Sequence, residues 1–296
     1  MVSGGKGVTV MKSAAFEYHR ATSVDEALAC MARYEGQAQW LAGGQSLLAM
    51  MNLRLAQPPA LIDIRGIPGL NEIRQTGGTV RIGALCTHHQ IQQSALVQDA
   101  LPLLAQAVPH VAHLAIRHVG TIGGSLALAD PAAEYPAVVQ ALKGVLVAQG
   151  PSGERRIPVD DYFVGLYQTA LQPGELLTAV ELPVAKPGQR FHFDELSRRR
   201  GDYGLVGLAC AAQVHAGLVS DVRLSFLAVG DGPVLATRAM AVLNGKTLDE
   251  TLIRAAQQAL ESDLQPAGDL QATAATKLHC ARVLLGRALS TWRTAA

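Results

Sequence analysis

Cysteine is scarce in this sequence. The 296 residues hold four: Cys30, Cys86, Cys210 and Cys280. They lie 56, 124 and 70 positions apart (86−30, 210−86, 280−210) and never form a C-x-x-C pair. That spacing excludes the recognised zinc and iron–sulfur ligand patterns. A disulfide scaffold is not expected in so long and cysteine-poor a chain, so free thiols in a reducing compartment are the expectation. Aromatic residues are only 4%, and the net charge is +1 from 25 basic and 24 acidic residues. The sequence therefore offers neither a stacking platform nor an electrostatic footprint for nucleic acid or an anionic membrane. No apolar run reaches the roughly 18 residues that suggest a membrane span. The glycine-rich start lacks the apolar segment of a signal peptide. A cytoplasmic protein is expected, with residues 1–10 a flexible extension ahead of Met11-Lys12.

Several chemistry-bearing motifs are missing too. There is no G-x-G-x-x-G after a strand, no P-loop, no H-E-x-x-H and no G-x-S-x-G elbow. His88-His89 and His110, His113 and His118 cluster without an i, i+4 ligand pair on a clear helix. No metal ligand and no catalytic acid or base is assigned.

What is present is ample material for a core: 49% hydrophobic against 17% charged residues. Length alone suggests about two domains. The pattern suggests three blocks, 11–69, 70–184 and 185–296. In the first, Ser23-Val-Asp-Glu26 reads as a capping box opening a helix that Gly36 ends. A strand near 39–42, a helix over 47–53 and a strand over 60–64 follow. In the second, hairpins are expected around Gly77-Gly78 and over 145–157, with a helical stretch over 87–113 punctuated by Pro102 and Pro109, a helix over 134–142 and a strand over 176–182. In the third, strands at 189–196, 205–215 and 219–229 precede helices at 236–243, 247–260 and 271–291. Trp40 and Trp292 read as packing residues.

Two glycine pairs stand out, Ala42-Gly43-Gly44-Gln45-Ser46 and Thr121-Ile122-Gly123-Gly124-Ser125. Adjacent glycines let backbone approach a ligand and can expose successive amides as a nest. A following helix N-terminus favours a diphosphate, and Ser46, Thr121 and Ser125 bring hydroxyls. A dinucleotide gripped between the two loops fits this pattern. From the glycines alone, a pair of ordinary tight turns is the favoured reading, because a single glycine pair is a weak signal.

The surroundings of these loops are more telling. Residues 42–56 (AGGQSLLAMMNLRLA) and 117–136 (RHVGTIGGSLALADPAAEYP) closely resemble the FAD-binding medium subunits of the molybdenum hydroxylases. That family includes the carbon monoxide dehydrogenase medium chain and the xanthine dehydrogenase FAD-binding subunit. Residues 197–205 (SRRRGDYGL) resemble the family's R-x-G-D-Y-A segment. The resemblance spans nearly the whole chain from Met11, with all three motifs in order.

It implies an α+β chain: a two-subdomain FAD-binding fold of the vanillyl-alcohol oxidase type, followed by a C-terminal α+β domain with a three-stranded antiparallel sheet and helices. It implies FAD as cofactor, held by Ala42, Gly43, Gly44, Gln45 and Ser46 and by Thr121, Ile122, Gly123, Gly124 and Ser125. Glu134 stands where relatives carry an acidic residue facing the cofactor. Asp202 and Tyr203 match the segment near the isoalloxazine, and Leu177 is a further candidate contact. The resemblance also implies partners: a large molybdopterin subunit and a small subunit with two 2Fe-2S clusters, in a dimer of heterotrimers. The lack of cluster ligands here agrees with that division. Electrons would pass from the clusters through FAD to an external acceptor. Two alternatives are an autonomous flavoprotein oxidase and a non-enzymatic assembly protein of the same architecture. The sequence departs from the family pattern in Ser125, where many relatives have asparagine, in the run Arg117-His118-Val119, and in Glu195, where some have lysine.

Overall fold

Ser23 sets the first helix: its hydroxyl accepts from the Glu26 amide at 3.1 Å. The glutamate does not close the expected box. Its carboxylate reaches the amide and hydroxyl of Thr22, at 2.7 Å each, one residue earlier. Helix α1 (Val24–Arg33) then lies between β1 (Glu17–Arg20) and β2 (Gln39–Leu41), and α2 (Leu47–Asn52) precedes β3 (Ala60–Asp63). The strands form a parallel sheet in the order β1-β3-β2. All four residues of β3 are buried, as a central parallel strand covered on both faces requires. The structure, a computed structural model, describes residues 12–199 and 201–294. The extension expected at 1–10 lies outside them, as does Arg200.

The second unit opens with the hairpin β4 (Ile73–Thr76) and β5 (Thr79–Gly83) around Gly77 and Gly78. Residues 88–107 do not run as one helix. They form α3 (His88–Gln93), α4 (Ala95–Ala100) and α5 (Pro102–Ala107). Ser94 caps α4 by accepting from Val97, and Pro102, which has no amide to give a preceding turn, starts α5. Next come α6 (Leu114–Arg117), α7 (Ile122–Leu128) and α8 (Glu134–Ala141). The strands β6 (Val145–Gly150), β7 (Gly153–Pro158), β8 (Phe163–Gly165), β9 (Gln168–Thr169) and β10 (Leu176–Pro183) follow. They build a five-stranded antiparallel sheet, β4-β5-β10-β6-β7, with β8-β9 as a separate ribbon.

The third unit contains β11 (Gln189–Ser197), β12 (Gly204–His215), β13 (Leu218–Leu227), β14 (Val234–Leu235), α9 (Thr237–Leu243), β15 (Lys246–Thr247), α10 (Glu250–Asp263) and α11 (Ala274–Thr294). The three expected antiparallel strands form the body of this sheet, and short β14 and β15 extend it on β13. Strand alternation explains why β12 is apolar on both faces. Val206, Leu208, Cys210 and Ala212 pack with the helices α9–α11. Ala209, with Phe193 and Leu227, joins the core of the second unit. Helix α8 lies on that second face, and all of its residues are buried. Its first residue is Glu134, so the packing of α8 fixes where that carboxyl stands. Trp292 is buried in the core among α9–α11.

Candidate cofactor site

A cavity of ≈ 470 Å³ lies where the three units meet. Ala42, Gly43, Gly44, Gln45 and Ser46 form one wall, after β2 and before α2. Thr121, Gly123, Gly124, Ser125, Glu134 and Leu177 line it from the second unit, and Asp202 and Tyr203 from the third. The structure thus brings together every site residue expected from the sequence except Ile122. That side chain is fully buried in the core behind α7.

The first glycine pair behaves as a nest. Gly44 has φ +68°, where a side chain is strained. Among the described residues, the amides of Gly43, Gly44, Gln45 and Ser46 donate to no protein backbone or side chain. The Ser46 hydroxyl is not used to cap α2. This wall therefore presents a run of donors to whatever fills the cavity.

The second pair is built differently, and here the expectation of a glycine loop with free amides is corrected. Thr121 is the N-cap of α7, and both glycines lie inside its first turn. The amide of Ile122 donates to Cys86 O at 3.0 Å, and that of Gly123 to Ala84 O at 2.9 Å. Gly124 donates to Thr121 Oγ1 at 3.1 Å, and Ser125 to Thr121 O at 3.1 Å. Four of the five amides of this segment are thus used within the protein, and among the described residues only that of Thr121 has no protein acceptor. Gly123 is glycine because a Cβ would stand 2.4 Å from that of Ala84. At Gly124 a Cβ would meet only Thr121 Oγ1, at 3.0 Å, and would otherwise project into the cavity. The second wall thus offers a bare surface and the hydroxyls of Thr121 and Ser125. With six and seven residues, α2 and α7 are short, so donors weigh more here than any helix field.

Glu134 and Asp130 are the buried carboxyls that line the cavity. Burial first, and then the charge of Asp130, push Glu134 up to about 7 against its own backbone amide and Arg117. Glu195, on β11, is outside the cavity lining. Its Oε2 is buried without a partner, and burial, then Glu134 and Asp194, push the carboxyl up to about 8. His88 lines the cavity, a role that the adjacent-histidine pattern did not reveal. Its Nδ1 lies 3.0 Å from the Tyr135 hydroxyl, and burial pushes the ring down to about 4, so it is neutral. Trp40 is also part of the wall rather than only packing. Its Nε1 donates to Glu175 O at 2.9 Å, joining the first unit to the second.

A family model described as the FAD binding domain in molybdopterin dehydrogenase matches residues 14–185. A second, the CO dehydrogenase flavoprotein C-terminal domain, matches 191–292. The chain belongs to this family. The FAD-binding subunit is 37% identical over 275 residues to the carbon monoxide dehydrogenase medium chain of Hydrogenophaga pseudoflava, covering 93% of this chain and 96% of that one. It is 38% identical to the nicotine 6-hydroxylase medium subunit of Paenarthrobacter nicotinovorans, covering 94% and 98%. The solved carbon monoxide dehydrogenase of H. pseudoflava superposes with a TM-score of 0.92 at 38% identity, over 94% of this chain and 97% of that one. The relatives are medium subunits of oxidoreductases, so the chain is an FAD-binding medium subunit of the molybdenum hydroxylase type. The cavity fits that cofactor by its donors: a row of free amides faces hydroxyls across a space that a side chain on Gly124 would enter. No helix among the described residues is long and apolar enough to cross a membrane.

Proposed function

We propose that this chain is the electron-transferring flavoprotein subunit of a heteromeric molybdenum hydroxylase. It would take electrons from 2Fe-2S clusters in a small partner subunit and deliver them to an external acceptor. Substrate oxidation would occur in a large molybdopterin subunit, and the assembly would be a cytoplasmic dimer of heterotrimers. The working division is 11–69 and 70–184 as FAD-binding subdomains and 185–296 as the C-terminal flavoprotein domain. When bound, FAD supplies the redox chemistry, exchanging single electrons with iron–sulfur centres and pairs with an acceptor.

The chain's own residues bind and orient. The amides of Gly43 to Ser46, with the hydroxyls of Ser46, Thr121 and Ser125, would hold the diphosphate. Glu134 would accept from a hydroxyl of the ribityl or ribose. Asp202, Tyr203 and Leu177 would border the ring system and limit its contact with water. One observation carries the reading: four unpaired backbone donors converge on a cavity that all three units wall.

Titration of the purified chain with FAD and with FMN, followed by quenching of flavin fluorescence, tests it. Tight FAD and weak FMN binding are expected, because the nest grips a diphosphate that FMN lacks. Equal affinity for both, or binding of neither by the chain alone and in its complex, would overturn the assignment.

A further inference from the structure

Arg117 ends α6, and its guanidinium turns back onto the preceding loop. Nη1 donates to the carbonyls of Pro109, Val111 and Ala112 at 3.4, 2.9 and 2.8 Å. Nε of the same group is buried without a partner. Charge-assisted bonds from one nitrogen to three carbonyls draw residues 109–112 into a tight turn. Ala112 in this turn has φ +45°, a conformation that a side chain disfavours. Something must hold it there, and Arg117 is bonded to its carbonyl.

That turn is part of the cavity. Val111, Ala112 and Ile116 line it. Gly201 sits against the same turn: a Cβ on Gly201 would stand 2.5 Å from His113 Nδ1 and 3.1 Å from Ala112 O. The segment bearing Asp202 and Tyr203 therefore seats on the turn that Arg117 ties down. Arg117 also acts on the cavity electrostatically. Asp130 from the α7–α8 link and Glu195 from β11 oppose a charge on Glu134, whereas Arg117 from α6 is the cation that favours it. Tyr203 faces the same carboxyl from the third unit, Tyr135 adjoins it on α8, and neutral His88 stands nearby on α3.

We propose that Arg117 is a positioning residue for the cofactor. It fixes the 109–112 turn on which the Gly201 to Tyr203 segment closes, and its charge keeps Glu134 available as an acceptor in the cavity. The proposal rests on reading this cavity as the FAD site.

The test follows FAD release from the loaded full chain by recovery of flavin fluorescence, across about pH 5 to 9. In the wild type, retention weakens as pH falls through the Glu134 titration, and Glu134→Gln removes that dependence. Arg117→Lys keeps the cation but not the planar guanidinium that sets Nη1 against the 109–112 carbonyls, so affinity drops about ten-fold with an unchanged midpoint. Arg117→Gln loses both, and its midpoint moves to higher pH. Adding Ala112→Gly to Arg117→Gln relieves the backbone strain and restores part of the affinity but not the midpoint. Should Arg117→Gln not fold, Arg117→Lys with and without Ala112→Gly decides on the affinity loss and its rescue.

Wild-type affinity in the lysine and glutamine variants would overturn the proposal. So would a lowered melting temperature with affinity and midpoint unmoved, or a Glu134→Gln chain that keeps the wild-type pH dependence. Failure of the wild type itself to bind FAD would instead remove the reading of the cavity.

Discussion

Gly43 lies so close to Val119 that a Cβ on the glycine would stand 2.4 Å from the Val119 carbonyl oxygen. The two glycine-bearing segments therefore touch through backbone, and this contact sets the spacing of the cavity walls. Gly43→Ala should force them apart. The expected outcome is a loss of FAD affinity of at least about ten-fold with a stability loss of about 2 kcal/mol. Fluorescence titration and chemical denaturation measure the two, and an alanine variant with native FAD affinity would contradict this account.

The neighbouring glycines of α7 should separate fold from function. Gly123→Ala meets Ala84 backbone and side chain, all closer than 3 Å, and should destabilise the chain by about 3 kcal/mol. Gly124→Val has open space on the cavity side and should fold, yet retain little FAD. Comparing melting temperature with bound flavin in the two purified variants distinguishes them. Equal flavin content in wild type and Gly124→Val would move the cofactor elsewhere.

Tyr203 is 64% exposed at the rim of the cavity and contributes little to the core. Tyr203→Ala should keep FAD bound and change how the flavin meets solvent. We expect a shifted absorption spectrum and a several-fold change in reoxidation by oxygen in stopped flow. Identical spectra and rates would remove Tyr203 from the site.

Asp63 ties the first unit together at its C-terminal edge. It accepts from Arg65 Nη2 at 2.7 Å, from Arg65 Nε at 2.9 Å and from the Tyr18 hydroxyl at 2.5 Å. Burial opposes its charge, but these bonds outweigh burial and hold the carboxyl at about 2, below its ordinary 3.8. A depressed folded-state value means that the stabilisation is present above about pH 4 and is lost as pH falls through about 2. Asp63→Asn should cost about 2 kcal/mol at neutral pH and flatten the acid limb of the stability curve. Urea denaturation at pH 7 and at about pH 3 measures this, and an unchanged acid limb would refute it.

Much of the architecture was legible locally. The hairpin at Gly77 and Gly78, the strands β10 to β13 and the helices α9 to α11 follow from turn residues and apolar periodicity, which are properties of short segments. The break at Ser94 was less so. An N-cap serine inside an apolar run looks like any helix residue until the chain turns there.

The cavity residues were recognised as motifs, but their separate jobs were not. From sequence, Gly43, Gly44, Gly123 and Gly124 look alike. Only the tertiary structure divides them, because a glycine's role depends on which atoms of distant segments approach it: Val119 for Gly43 and Ala84 for Gly123. Whether an amide is free is likewise decided by acceptors far along the chain, such as Cys86 O and Ala84 O for the second segment. His88 and Trp40 belong to the site for the same reason. Their partners, Tyr135 and Glu175, lie far along the chain, and no local pattern records them. What the sequence by itself determined was composition, periodicity and the family motifs, hence the elements and the cofactor class. What the fold decided was which donors stay unpaired and which carboxyl is buried, since both are set by long-range packing.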